Sequence, residues 1–476
     1  MSSSSTPITA VFDIGKTNKK FFLFDDRYAV IQKQQTTLEQ IEDDDGDACE
    51  DLSSLESWIQ DRLHEVVQNP AYDLQKLNFS GYGATLAHLD REGHIATPIY
   101  DYLKPYPKKL LTQFYEVYGG RRTFALETAS PPMGMLNSGL QLYWLKYQKP
   151  NDFSEINRTL HFPQYLSYMV TGEKVTEQTS IGCHTSLWNF RKNEYHRWVR
   201  QEKIHHLLPE IKPLDYTFKT EHESNEFRTG IGIHDSSAAL APYLFALDNP
   251  FMLVSTGTWS ITLNPFNTEP LTFEELKRDC LCYMDIYGKQ VKASRLFLGN
   301  EYAHQVKKLN HYFGVDSERI SVEIDQELLR HCIVNADSNR RLQLETAHSS
   351  GPFPRKEPGN WQVGQFSSFE EGYHQLILDL ASIQVEAIKL AEGTDTVNKL
   401  VVTGGVSKND LFMSLLASFL PEKQVYTASL SHASALGAAM VVNNMDEEDE
   451  SIDWPALLGL EHHQGLELNL ENYSWD

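Results

Sequence analysis

Asp13-Ile14-Gly15-Lys16-Thr17-Asn18 places a carboxylate two residues ahead of a glycine turn, and Ser255-Thr256-Gly257-Thr258 repeats such a turn in the second half of the chain. Turns of this kind can aim successive backbone N–H groups at an anion. Two of them, Gly15 and Gly257, lie 242 residues apart, about half the chain, and could face one polyphosphate from opposite sides. A third glycine turn, Gly404-Gly405 in "VVTGGVSKN", sits between an apolar strand and a helix, where a ligand can approach the backbone closely. Near the midpoint, "GIGIHDSSAALA" sets His234-Asp235 at the start of a helix rich in small residues. Two roles are compatible for Asp235: an N-terminal capping carboxylate, or a general base that takes a proton from a hydroxyl.

The elements around these residues decide between kinds of phosphate site. Ala10-x-x-x-x-Gly15-Lys16-Thr17 comes within one residue of a P-loop. A P-loop requires a flexible loop entering a helix. Here Val11–Ile14 reads as the end of a buried strand, and Phe21–Phe24 as a second apolar strand. The local unit is therefore strand–tight turn–strand, and "FMLVSTGTWSITL" (251–263) has the same form. In "KLVVTGGVSKNDLFMSLLASFL", Leu400–Val402 reads as a short strand and Ser407 as the N-cap of a helix with Leu411, Leu415 and Phe419 on its buried face. Before it, Leu376, Leu380, Ile383, Ala387 and Leu390 mark a long helix ending at Gly393. Strands alternating with helices make this an α/β protein.

A chain of 476 residues exceeds one core, and 41% apolar with 22% charged residues is ordinary globular composition. Forty-two basic against 65 acidic side chains give a formal charge of −23, which disfavours nucleic acid and anionic membranes as partners. No run reaches membrane-spanning length, and the Ser-rich start lacks the features of a signal peptide. The five cysteines are scattered, and Cys280-x-Cys282 has no second pair to complete a zinc site, so reduced thiols in a cytoplasmic protein are expected. The acidic runs "EDDDGD" (42–47) and "DEEDE" (446–450) read as solvated loops, the second marking the start of a C-terminal tail.

Taken together, these segments resemble the FGGY family of carbohydrate kinases, within the actin/Hsp70/hexokinase-like superfamily, over nearly the whole chain. "FDIGKTNKKFFLFD" matches its first phosphate motif, "STGTWS" its second, "VTGGVSKN" its adenosine motif and "GIHDSSAA" its catalytic motif. "FSGYGATLAHLDREG" (79–93) and "FPQYLSYMVTGEKVTEQTS" (162–180) resemble its sugar-side segments, in a form closest to L-rhamnulose and L-fuculose kinases. The resemblance implies two actin-like (ribonuclease H-like) domains with a catalytic cleft between them: residues 1–245 with the sugar side, 246–445 with the second phosphate and adenosine motifs, and a tail at 446–476. It implies ATP and Mg²⁺ as cofactors and a small sugar as substrate.

By position, Asp235 would be the base, with Gly83 and His234 helping to hold the sugar. Asp13 would act with Mg²⁺ through water. Gly15, Lys16, Thr17 and Asn18 would face the terminal phosphates from one side, Gly257 and Thr258 from the other, and Gly404, Gly405 and Asn409 would line the adenosine pocket. Lys16 departs from the family, which has a small hydroxylated residue there. Two expectations stand for it, a contact to the phosphates or a solvent-facing side chain. The rival readings are a nucleotide-binding regulator without turnover and an actin- or chaperone-like ATPase scaffold. The oligomeric state stays open, a homodimer among the options.

Overall fold

The computed structural model describes residues 5–315, 322–336, 339–342, 344–346, 361–394, 396–443, 452–471 and 473–474. The run 446–450 and Trp475 lie outside the described residues. The chain divides into two compact units, the first Met1–Ala246 with Cys282–Gln290 and His432–Asp453, the second Leu247–Leu281 with Val291–Ser431 and Trp454–Asp476.

In the first unit, β1 (Thr6–Ile14) and β2 (Asn18–Phe24) form an antiparallel hairpin, β3 (Val30–Thr37) extends it, and β4 (Tyr72–Gly81) lies parallel on the other side of β1. The helix α1 (Phe162–Thr171) precedes β5 (Thr217–His222) and β6 (Asn225–Gly230), which complete the order β5-β6-β4-β1-β2-β3. The short β7 (Ile233–His234) also pairs with β4 and runs into α2 (Asp235–Ala246). The apolar alternation of β1 and β2 closes one face around Phe12, whose ring packs on Phe21 and Phe79 at 4.7 and 5.5 Å.

The second unit repeats the pattern. β8 (Phe251–Thr256) and β9 (Ser260–Asn264) form the hairpin, β11 (Gln290–Leu296) extends it, with β10 (Cys280–Met284), assigned from Cys282 on to the first unit, next in the sheet order, and the helices α3 (Leu298–Phe313) and α4 (Phe369–Glu392) follow. β12 (Lys399–Gly404) lies parallel to β8, α5 (Asp410–Phe419) leads to the parallel β13 (Gln424–Ala428), and β14 (Leu460–His463) adds an antiparallel edge. The hairpin with a parallel strand against its first member thus occurs twice, as the paired glycine turns of the sequence led one to expect. α6 (Ala433–Val442) belongs to the first unit. No helix among the described residues is long and apolar enough to cross a membrane.

Two local readings change. Ser407 falls in a single 3₁₀ turn and donates to Gly404 O, and the cap of α5 is Asn409, whose side chain accepts from Phe412 N–H. The strand–helix connection is longer than a bare βα turn, so the capping position moves two residues on. The acidic loop 42–47 is not simply solvated. The buried Lys104 ammonium lies 2.6, 3.0 and 2.7 Å from Asp43, Asp45 and Asp47, and Asp43 also accepts from Asp45 N–H and Asp47 N–H. A lysine distant in sequence neutralises what reads locally as a charge run.

Candidate active site

Parallel strands gather ligands at their carboxyl ends, and the first unit brings its expected residues there. Asp13 pairs in register with Ser80, Ile14 with Gly81, and His234 also with Gly81, so β1, β4 and β7 end side by side. The chain continues from these ends into the Gly15 turn, Gly83 and Asp235. A Cβ on Gly83 would lie 2.5 Å from Cys183 Sγ and 2.9 Å from His234 Nε2, so the missing side chain makes room for the imidazole. His234 Nε2 sits 3.0 Å from Cys183 Sγ and 3.3 Å from Asp235 Oδ1, and its ring stacks on Tyr283 at 5.8 Å. Burial holds the His234 imidazole down at about 3 and His161 likewise, so both are neutral at physiological pH.

Asp235 opens α2. Its side chain keeps 35% exposure, yet burial raises its carboxyl to about 6, against the lowering effects of Ser236 hydrogen bonds and the Lys20 charge. A carboxyl so tuned is ionised at neutral pH and still a competent proton acceptor. Asp13 is buried, and burial raises its carboxyl too, with Asp235's charge adding to the effect and Lys20 opposing it. The sequence reading missed Lys20, whose Nζ lies 3.5 Å from Asp13 Oδ2. The signal was available: the hairpin register sets Lys20 directly across from Asp13.

The turn itself differs from expectation in two respects. The Gly15 N–H is spent inside it, donating to Asn18 O at 3.0 Å, as the Gly257 N–H donates to Trp259 O at 2.7 Å. The N–H groups of Lys16 and Thr17 have no partner among the described residues. The Lys16 side chain is not the solvent-facing one: its ammonium bonds Asp101 Oδ2 at 2.5 Å and lies over the Tyr102 ring at 5.1 Å.

In the second unit the register pairs Thr256 with Gly404, which brings the Gly257-Thr258 and Gly404-Gly405 turns together. Gly404 has φ +95°, and a Cβ there would lie 1.8 Å from Thr256 O, so no other residue fits. Gly405 N–H donates to that same oxygen at 2.9 Å, and Val406 N–H to Thr256 Oγ1 at 3.1 Å. Asn409 caps α5 and also donates from Nδ2 to Tyr373 Oη at 2.8 Å, so a residue expected at the adenosine pocket also holds the end of a helix.

With this geometry in place, the comparisons with known proteins are decisive for the family. Residues 8–220 match the N-terminal domain of the FGGY family of carbohydrate kinases, and residues 248–450 match the C-terminal domain, carbohydrate kinase FGGY. The chain belongs to the FGGY family of carbohydrate kinases. It is 24% identical over 440 residues to a rhamnulokinase of Bacteroides thetaiotaomicron, covering 82% of this chain and 80% of the relative. Its fold matches a carbohydrate kinase from Novosphingobium aromaticivorans (25% identity, TM-score 0.79, 98% of each chain). It also matches a Plasmodium falciparum glycerol kinase with ADP (15% identity, TM-score 0.74, 97% of this chain and 95% of the other). The protein is thus a carbohydrate kinase with the actin-like fold of its family, and FGGY kinases use ATP.

The acid limb of the pH profile tests the roles expected of Asp235 and His234. With Asp235 in the expected role of base, activity of this FGGY kinase should be present above about pH 6 and fall as pH drops through that value, because a base must be ionised. His234→Gln should leave that limb in place and raise the KM for sugar. A limb that vanished with the imidazole would assign it to His234 instead.

Proposed function

We propose that the protein transfers the γ-phosphoryl group of ATP to a primary hydroxyl of an uncharged ketose or related polyol, with Asp235 as general base. The carrying observation is the convergence of Asp13, Gly83, His234 and Asp235 on three adjacent strand ends, with the Asp235 carboxyl raised to about 6. Asp235 accepts the hydroxyl proton as the new P–O bond forms, while neutral His234 orients the sugar by hydrogen bonding. Lys20 and the amides of the Gly15 turn neutralise phosphate charge, which is most of what phosphoryl transfer asks of a protein. Gly404, Gly405 and Asn409 line the adenosine pocket.

Asp13 suits Mg²⁺: it is a hard oxygen donor whose carboxyl is raised by burial, with the Asp235 charge adding to the effect, and Mg²⁺ is commonly held by one or two carboxylates plus substrate phosphates. When bound, the ion would supply charge neutralisation to the phosphates.

The electrostatics support an uncharged sugar. Lys16 and Lys19 are each paired with a carboxylate, and His234 and His161 are neutral. The rhamnulokinase relative and the "SGYGAT" segment favour a rhamnulose- or fuculose-like ketose. A coupled ATP-to-ADP assay with Mg²⁺ against rhamnulose, fuculose, xylulose, ribulose, erythrulose and glycerol tests this. Turnover with one or two related ketoses over a low sugar-free background is expected. Binding of Mg–ATP with no turnover on any of them would overturn the substrate class.

A further inference from the structure

The sequence presents Lys19 and Lys20 as neighbours on β2, and a strand sends neighbours to opposite faces. Lys20 stays partly exposed beside Asp13, whereas Lys19 is among the most deeply buried large side chains of the chain. Its ammonium has three N–H donors. One meets Glu50 Oε1 at 2.6 Å, one Gly15 O at 3.1 Å and one Lys16 O at 3.2 Å. The other Glu50 oxygen accepts from Tyr82 Oη at 2.9 Å. The donors of the buried cation are therefore matched by one carboxylate and two carbonyls of the expected phosphate turn.

Peptide planarity gives this a consequence. Gly15 C=O shares a plane with Lys16 N–H, and Lys16 C=O with Thr17 N–H, and in a trans peptide the two groups point in opposite directions. An ammonium that holds both carbonyls on the inner side of the turn commits both N–H groups to the outer side. Those are the two turn amides with no partner among the described residues. We propose that Lys19 is a positioning residue for nucleotide: by binding the Gly15 and Lys16 carbonyls, it presents the Lys16 and Thr17 amides to the terminal phosphates of ATP. This rests on the reading of that turn as a phosphate site. Without the ammonium the carbonyls would be buried unpaired, and a peptide flip would aim an oxygen at the phosphates instead of a donor. The turn of the second unit achieves the same orientation differently, with Thr258 O accepting from Asn300 N–H of α3 at 3.2 Å.

A purely structural ion pair would be replaceable by uncharged side chains of similar volume, and this separates the two roles. The double variant Lys19→Met/Glu50→Gln removes both charges and keeps an acceptor for Tyr82. It should fold, keep its affinity for adenosine, and show a KM for ATP raised roughly 10- to 100-fold, the worth of one or two hydrogen bonds to a charged group. An unchanged KM for ATP, or an equal loss of adenosine affinity, overturns the proposal. Hydrogen exchange on the wild-type protein tests it without any variant. A non-hydrolysable ATP analogue with Mg²⁺ should protect the Lys16 and Thr17 amides, and adenosine should not. Absence of that protection while the analogue binds overturns the proposal. A wild-type protein that binds the Mg²⁺–analogue complex no tighter than adenosine would instead sink the phosphate-site reading itself.

Discussion

Replacing Asp235 with Asn should abolish sugar phosphorylation, with kcat lower by at least about 10²–10⁴, while Mg–ATP binds as before. The amide is nearly isosteric and can still accept at Oδ1 from Ser236 Oγ, which lies 3.2 Å away in the native protein. The helix start and the His234 contact should survive, and only the proton acceptor is lost. An alcohol is a poor nucleophile, and the other carboxylate at these strand ends, Asp13, lies 3.5 Å from the Lys20 ammonium and is proposed to serve Mg²⁺ instead. Calorimetry with Mg–ATP and the coupled assay, run on the same preparation, check both halves of the expectation. Turnover near the wild-type rate would mean that the base lies elsewhere. Residual activity, if measurable, should have lost the acid limb near pH 6.

Gly437→Ala should both destabilise the protein and slow its turnover. The added Cβ would lie 1.9 Å from the carbonyl oxygen of Ala238 and 2.8 Å from its carbon. Both are backbone atoms of α2, three residues beyond Asp235, so no side chain can swing aside. Ala435, Leu436, Ala438 and Ala439 are buried around the contact, which leaves α6 no free direction to retreat. Asn78 stiffens the arrangement, donating to Ala438 O at 2.8 Å and accepting from Gly232 N–H at 3.2 Å, two residues before His234. Overpacking of this kind costs about 1–3 kcal/mol, and a displacement of order 1 Å at a catalytic group can cost about 10²-fold in rate. The variant should melt several degrees lower and show a depressed kcat. Wild-type melting and wild-type kcat together would refute the claim that this helix contact holds the base in place.

Much of the architecture was legible before any coordinates. Both hairpins, the strand before Gly404, the long helix ending at Glu392 and the helix after Asp410 follow from apolar periodicity and glycine placement, which act over a few residues. So did the gathering of chemistry, because glycine turns and a helix-opening aspartate keep their meaning wherever the strands place them. Lys20 was recoverable in the same way, since hairpin register is local, and was overlooked.

Other features depended on residues far apart in the chain. Lys16 reads as a free cation until Asp101 and Tyr102 arrive from a distant loop. The run 42–47 reads as solvated until Lys104 enters it. Lys19 is simply one of two adjacent lysines in the sequence, and Glu50 draws it beneath the turn. The glycines of the two hairpins look like the phosphate donors, but ring closure of the turn consumes their N–H groups. Local pattern determines which backbone forms and where it bends. Where a charge finds its partner, and which amide is left to meet a ligand, depends on contacts across tens of residues that no short-range rule encodes; only the tertiary structure decided them.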